Sequence, residues 1–309
     1  MLLGLRRVHP QYRGSLRPTP GVLVVLLAGM GLLALGGEAL PAVDHYLPWH
    51  MLLETTAIAV AALVFAVGWN THSLHPQRNV LLLACAFLGV AILDFSHMLS
   101  FQGMPDYVTP SDPQKAIHFW LAARYLAACA LLLVAWLPWP APGSTDESPP
   151  AHQRFVPLLG VLLLVAAVHW VFLWRPHWVP ATFIPGRGLT AFKLWAEYGV
   201  IAVHLLTVGV LLARLRHASG FNVPLLLAAV LAMILSELFF TLYARVTDSF
   251  NLMGHVYKVI AYLLLYGAVF VDMIAAPYRA LHSARRHSQA VLAADRKSTR
   301  LNSSHLGIS

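Results

Sequence analysis

Long runs of apolar residues dominate the chain, and polar segments rich in proline separate them. Each run is close to the roughly 20 residues that an α-helix needs to cross the bilayer core. The runs show no alternation of apolar and polar positions, so the pattern favours helices over barrel strands. Eight such runs lie at 21–40, 50–69, 79–100, 117–139, 155–174, 192–214, 222–243 and 252–274. We therefore predict an all-α, polytopic transmembrane bundle of eight helices.

The composition agrees with a membrane protein. Hydrophobic residues make up 58% of the chain and charged residues 11%, with a mean hydropathy of +0.66. A soluble domain is usually about a quarter charged, so these few charges cannot cover a soluble surface of this size. The first run follows four arginines, as in a signal peptide. It is too long for the apolar region of a signal peptide and no A-x-A site follows, so we expect an uncleaved helix.

The distribution of Lys and Arg predicts the orientation, because cytoplasmic loops carry an excess of these residues. With the N-terminus inside, eleven basic residues of the loops and termini fall on the cytoplasmic side and four on the other. This predicts both termini in the cytoplasm. The net charge of +8 is thereby accounted for, and we expect no nucleic-acid partner. Cys85 and Cys129 lie inside apolar runs, so we expect both to be small, buried hydrophobic side chains.

The hydrophobic pattern also predicts how the chain is divided. We expect a cytoplasmic N-terminal segment at 1–20, a membrane domain at 21–276 and a cytoplasmic connecting helix at 277–296. From 297 to 309 the sequence reads KSTRLNSSHLGIS, without periodicity, and resembles a non-native or truncated tail. We therefore expect the natural protein to continue beyond this point into an output domain.

Ionisable residues inside the predicted spans need an explanation, because each costs about 3 kcal/mol at a helix centre. Nearly all of them fall in the halves predicted to face the outside, and many recur at i,i+3 or i,i+4 spacing, on one face of their helix. This segregation predicts a polar cavity near the outer face that binds a small-molecule or ionic stimulus. Its candidate residues are His50, Glu54, Asp94, His97, Arg124, Lys193, Glu197, Glu237, His255 and Lys258.

Several other interpretations stay open at this stage. The charged pairs can simply hold helices together. Five of these residues are ligand types that suit zinc, copper or iron: the candidate histidines His50, His97 and His255, and the carboxylates Glu54 and Asp94. Two histidines on facing helices, such as His97 and His255, would suffice for haem. The sequence has no HExxH-like signature, so the cofactor is unknown. A transporter is an alternative function, although the predicted inner halves are poor in ionisable groups. A haem- or metal-binding redox membrane protein is another.

A set of short motifs resembles a known family. The longest is LDFSHMLSFQGMP at 93–105. In order and spacing, the set resembles the third type of membrane-associated sensor (MASE) domain, over about residues 21 to 280. The motifs occupy 93–105, 122–125, 188–190, 192–193, 197–198, 236–238, 240–243, 251–255 and 257–258.

The resemblance implies a membrane-embedded sensory input domain of a bacterial signal-transduction protein, in the cytoplasmic (inner) membrane. Such domains precede PAS, histidine kinase or diguanylate cyclase modules. The resemblance therefore implies that any enzyme activity lies in a kinase or cyclase module outside this chain. It also implies that the protein forms a homodimer through that module. The departure from the family pattern is that no output domain follows residue 296.

Overall fold

Eight α-helices form the fold within the described part of the chain. The computed structural model describes residues 8–12, 19–35, 43–73, 76–139, 151–184, 186–217, 221–243, 246–275, 278, 281–286 and 288–289. The helices are α1 (Thr19–Leu35), α2 (Tyr46–Thr71), α3 (Arg78–Ser100), α4 (Pro113–Trp136), α5 (Phe155–Trp174), α6 (Ala191–Arg214), α7 (Val223–Leu242) and α8 (Ser249–Phe270). The prediction of an all-α membrane bundle is confirmed.

The number of membrane crossings depends on α1. Helices α2 to α8 are each long and apolar enough to cross a bilayer. Helix α1 has 17 residues, fewer than the roughly 20 that a crossing requires. Residues 36–40, which complete the first predicted run, lie outside the described residues. The count of eight crossings therefore stays a prediction.

Polar caps set where several helices begin, and this explains why some begin before their apolar run. Asp112 accepts a hydrogen bond from the Lys115 backbone N–H at 3.0 Å, so α4 starts at Pro113 and not at residue 117. Asp248 caps α8 in the same way, through the Asn251 backbone N–H at 2.9 Å. Such caps satisfy backbone donors that a helix leaves free in its first turn.

The burial pattern separates central helices from peripheral ones. Helices α3 and α7 are the most buried. Helix α3 packs mainly against α2 and α4, and α7 packs mainly against α8. Helix α5 lies at the edge of the bundle. Only 11% of its most apolar stretch is buried, and side chains such as Leu159 and Leu163 are exposed. Exposed leucines on a helix this apolar face lipid, not water. Helix α1 rests on α7, and the Tyr257 hydroxyl donates to the Leu26 carbonyl oxygen at 2.7 Å.

A two-stranded hairpin that was not predicted from the sequence precedes α6. Strands β1 (Phe183–Ile184) and β2 (Gly188–Leu189) pair antiparallel. Gly186 and Gly188 adopt φ angles of 78° and 82°, a left-handed conformation that glycine adopts without strain. Phe183 and Leu189 pack on an apolar cluster that includes Trp120. The hairpin therefore covers one end of the bundle.

The segments on either side of the membrane domain are only partly described. Helix α8 passes into one turn of π-helix, Val271–Ala275. Residues 281–286, within the predicted connecting helix at 277–296, are helical. Of the predicted N-terminal segment, residues 8–12 and 19–20 are described, and the tail at 297–309 lies outside the described residues.

The predicted orientation can be tested with reporter fusions. A reporter active only in the cytoplasm should work at the N-terminus and after residue 285, because the basic residues concentrate on that side. The same reporter inserted after residue 105, in the loop between α3 and α4, should be inactive. Activity after residue 105, or an external signal at either terminus, would show that the orientation is reversed or that the number of crossings is odd.

Candidate functional site

All ten ionisable residues predicted from the sequence are buried, each with at most 5% of its surface exposed. They come from six helices: the first halves of α2, α4, α6 and α8, and the second halves of α3 and α7. The contacts below place them at one end of the bundle, which we call the polar end. The loop between α3 and α4 and the β1–β2 hairpin lie at the same end.

The centre of the polar end is a charged triad that joins three helices. Arg124 of α4 donates from Nη2 to both carboxylate oxygens of Asp94 on α3, at 2.9 and 2.8 Å. It also donates to the Tyr262 hydroxyl of α8 at 2.5 Å. Tyr262 in turn donates to Asp94 Oδ2 at 3.2 Å. Hydrogen bonds to charged partners are about twice as strong as neutral ones, so this triad ties α3, α4 and α8 together.

Lys258 of α8 bridges two carboxylates on different helices. Its ammonium group lies 2.9 and 2.7 Å from the two carboxylate oxygens of Glu54 on α2. It also lies 3.1 Å from Asp94 Oδ2. A buried charge needs such partners to be tolerated in a low-dielectric interior. Lys258 therefore connects the triad to Glu54 and couples α8 to both α2 and α3.

Glu54 belongs to a second group, which we call the His–Glu quartet: His50, Glu54, His97 and His255. One ligand atom from each of these residues lies within 4.8 Å of the others, and all four side chains are buried. His50 Nε2 is 3.3 Å from His97 Nε2. His255 Nδ1 is 2.6 Å from Glu54 Oε1. The quartet brings together four of the five residues that the sequence suggested as metal-ligand types. The fifth, Asp94, is engaged by Arg124.

Lys193 and Glu197 form a separate pair on α6. Lys193 Nζ lies 2.8 Å from Glu197 Oε1 and also donates to the backbone carbonyl oxygen of Phe240 on α7. Its ammonium group lies 4.2 Å from the centre of the Tyr243 ring, a cation–π contact. This pair ties α6 to the end of α7.

Glu237 lies between the Lys193–Glu197 pair and the triad. It interacts electrostatically with Arg124, Lys193 and Lys258. Among the described residues, its Oε2 atom has no hydrogen-bond partner. Glu237 therefore interacts with cations from three helices, and within the described part of the chain it forms no direct ion pair with any of them.

Helical spacing predicted which residues share a face, but most of them pair across helices. Lys193 and Glu197 are the i,i+4 pair that makes direct contact. Glu237 and Thr241 also have i,i+4 spacing, but the Thr241 hydroxyl donates to the Leu238 carbonyl oxygen of its own helix, at 2.7 Å.

Trp120 is one of two aromatic residues of the polar end that the sequence analysis did not predict. The guanidinium carbon of Arg124 lies 4.6 Å, and the Lys258 ammonium 4.7 Å, from the centre of its ring. The rings of His97 and His255 each lie 5.4 Å from it. Trp120 therefore contacts both the quartet and the charged side chains of Arg124 and Lys258. The sequence contained a signal for both. Trp120 precedes Arg124 by four residues, and Tyr262 follows Lys258 by four. Each aromatic residue therefore shares a helical face with a charged residue.

A cavity of about 20 Å³ lies beside His97, Trp120 and His255. It has room for about one water molecule or an ion. Organic ligands and porphyrins need several hundred Å³. The cavity as it stands is therefore of the size of a water molecule or an ion.

Close packing of α7 on α8 holds the quartet in place, and Gly254 makes it possible. A Cβ at position 254 would collide with the Phe240 ring. The Gly254 carbonyl oxygen also accepts a hydrogen bond from Ser236 at 2.8 Å. Gly254 therefore allows the closest approach of α7 and α8 directly beside His255.

Gly254→Ala should lower the stability of the folded protein by about 1–3 kcal/mol, because overpacking forces α7 and α8 apart. Thermal unfolding in detergent would measure it. Gly209→Ala is the matched control, since a Cβ at position 209 of α6 meets no atom within 4 Å. Equal melting temperatures for both variants would contradict the account of this contact.

The fold and the buried polar end define a multi-span membrane protein with a polar cluster at one end of its bundle. Residues 42–277 match the MASE3 family of membrane-associated sensor domains, and this match covers well over half of the chain. The chain therefore belongs to this family and is a membrane sensor domain. Neither a curated protein nor a solved structure matched it.

Proposed function

We propose that this chain is the sensory input domain of a bacterial signalling protein of the histidine kinase or diguanylate cyclase type, in the inner membrane. In this proposal a small or ionic stimulus acts on the polar end from outside. The observation that carries it is the convergence of ten buried ionisable side chains from six helices on that end. Placing so many charges in a membrane protein is costly, and a site that reads a charged or polar stimulus explains that cost.

Helix α8 supports a route from this site to the cytoplasm. It contributes His255 to the quartet, Lys258 to the bridge between Glu54 and Asp94, and Tyr262 to the triad. The same helix continues through the π-helical turn Val271–Ala275 toward the helical residues 281–286. A change in the charge balance at the polar end would therefore change the forces on the element that leads to the output module. Binding that favours one packing arrangement shifts the population toward it.

The opposite end of the bundle favours sensing over transport. There, Arg214 of α6 donates from Nη2 to the carbonyl oxygens of Trp136 and Leu137, at 2.8 and 2.7 Å, and thereby caps α4. Apolar side chains such as Leu131, Val134 and Leu211 fill the neighbouring core. A transporter needs polar groups along a route across the membrane. Here the buried charged side chains of the described residues are concentrated at one end, and His204 of α6 is a buried histidine away from that end.

A fusion protein tests the proposal. Residues 1–296 would be joined in frame to a diguanylate cyclase module, and cyclic dinucleotide production would be followed while external metal ions and pH are varied. We expect output to change with at least one of these external stimuli. Output that stays constant under all of them, in a correctly inserted fusion, would count against an external ionic stimulus.

The continuation of the coding sequence is a second, independent test. We propose that PAS, kinase or cyclase modules follow residue 296 in the intact gene and that they bring two copies together. A native stop codon directly after the membrane domain would refute this part of the proposal.

A further inference from the structure

The His–Glu quartet has the composition and spacing of a metal site. We propose that His50, Glu54, His97 and His255 bind one divalent first-row transition-metal ion, and that this ion competes with the Lys258 ammonium for Glu54. This inference rests on the proposed function, since it names the chemical class of the stimulus.

The spacing of the ligand atoms supports this. Two nitrogens bound at about 2.0 Å to a tetrahedral ion lie about 3.3 Å apart. His50 Nε2 and His97 Nε2 are 3.3 Å apart. The widest separation in the quartet, 4.8 Å, closes with small rotations of the side chains around the ion.

His97 is already held in the orientation and tautomer of a metal ligand. Its Nδ1 lies 2.8 Å from the backbone carbonyl oxygen of Ala116. A carbonyl oxygen can only accept, so Nδ1 carries the proton and Nε2 of the neutral ring presents its lone pair toward His50. Metal-binding histidines usually donate their second ring nitrogen to such a group.

The contact between His255 and Glu54 points the same way. His255 Nδ1 lies 2.6 Å from Glu54 Oε1, yet among the described residues Nδ1 has no partner with hydrogen-bond geometry. At this distance the two atoms share either a proton or a cation. A metal ion bound by both atoms would take the place of that proton.

The ligand chemistry selects the class of metal. Three imidazole nitrogens and one carboxylate suit Zn²⁺, Cu²⁺, Fe²⁺ or Ni²⁺. Ca²⁺ and Mg²⁺ prefer a shell of oxygen ligands and fit this set poorly. The cavity of about 20 Å³ beside His97 and His255 also has the size of an ion or its water.

Lys258 supplies a means of reading out the ion. Its ammonium group is 2.7 Å from Glu54 Oε2, so it neutralises the carboxylate that the ion would bind. Two cations cannot share Glu54 without strong repulsion in a buried site. An ion in the quartet therefore releases Lys258 from Glu54, and Asp94, already 3.1 Å away, retains it. Because Lys258 is on α8 and Glu54 on α2, metal binding would break a direct link between these helices.

Metal binding to the purified full chain tests the site without reference to signalling. After treatment with a chelator, the protein in lipid nanodiscs would be titrated with Zn²⁺ by calorimetry, and with Co²⁺ by visible absorption. We expect one Zn²⁺ per chain and a Co²⁺ spectrum typical of nitrogen ligation. His50→Ala and the nearly isosteric Glu54→Gln should each weaken Zn²⁺ binding by about 100-fold or more. His204→Ala, a buried histidine of α6 outside the quartet, is the matched control and should bind as the wild type does.

Lys258→Met tests the competition. Removing the ammonium group should tighten Zn²⁺ binding by about tenfold or more, whereas a purely structural role for Lys258 predicts weaker binding. Absence of stoichiometric Zn²⁺ binding by the wild type would overturn the proposal. Equal binding by the wild type and both ligand variants would do the same. If Zn²⁺ binds as expected but the cyclase fusion ignores it, the metal site stands and the sensory role of the site fails.

Discussion

Replacing Arg124 with leucine should lower the free energy of unfolding by about 3 kcal/mol, because it leaves the buried Asp94 carboxylate without its main partner. Arg124 makes both of its contacts to Asp94 and one to Tyr262 from a single nitrogen, and it is 3% exposed. Lys258, 3.1 Å from Asp94, compensates in part, so the loss should stay near the lower end of the usual range for buried pairs. Reversible unfolding in mixed detergent would measure the change.

Two further variants test whether the loss of stability comes from the Arg124–Asp94 ion pair. Asp94→Leu combined with Arg124→Leu should cost less than the sum of the two single changes, since neither charge is then left alone. Arg175→Leu, an exposed arginine at the end of α5, is the matched control and should change stability by about 0.5 kcal/mol or less. Strict additivity in the double variant would mean that the Arg124–Asp94 contact contributes little.

The helices were predictable because length and continuous hydrophobicity are properties of the local sequence. Helix α5 illustrates this, since its predicted run, 155–174, has the observed bounds. Helix α4 shows the limit of a prediction from hydrophobicity. The polar residues before position 117 carry no hydrophobic signal, but they are helical because Asp112 caps the helix in front of them. The hairpin before α6 was not predicted because its two-residue strands are too short to show a period.

The candidate site was predictable only as a set of residues at similar depth. Depth follows from position along a helix, so the ten residues could be assigned to one end of the bundle from their numbers. Partners across helices depend on how each helix is rotated and packed, which no local pattern specifies. The bridge of Lys258 between Glu54 and Asp94, which are 204 and 164 positions away in sequence, is therefore visible only in the structure.

Trp120 and Tyr262 were missed for a different reason. An aromatic residue in an apolar helix is normally part of the core or of a lipid-facing surface, so its type carries no functional signal. Here both rings lie against the charged groups of the polar end. Their spacing from Arg124 and Lys258 was the available clue.

His255→Ala and Glu237→Gln should each reduce the response of the cyclase fusion by about tenfold or more, the scale of a typical coupling between sites. His255→Ala removes one contact between α8 and Glu54 and leaves the contact that Lys258 makes with the same carboxylate. Glu237→Gln keeps the shape of the side chain but removes a charge that interacts with Arg124, Lys193 and Lys258. Both variants should insert into the membrane in normal amounts, because hydrophobicity of the spans drives insertion.

The most direct test of the sensory role is therefore the output of this fusion for the wild type, His255→Ala, Glu237→Gln and the control His204→Ala, at equal amounts in the membrane. Cyclic dinucleotide production would be measured before and after the external ion or pH step to which the wild type responds. We predict that the wild type and His204→Ala respond, and that the change in output of His255→Ala and Glu237→Gln is smaller by about tenfold or more. Wild-type responses from both polar-end variants would contradict the assignment of this end as the sensing site.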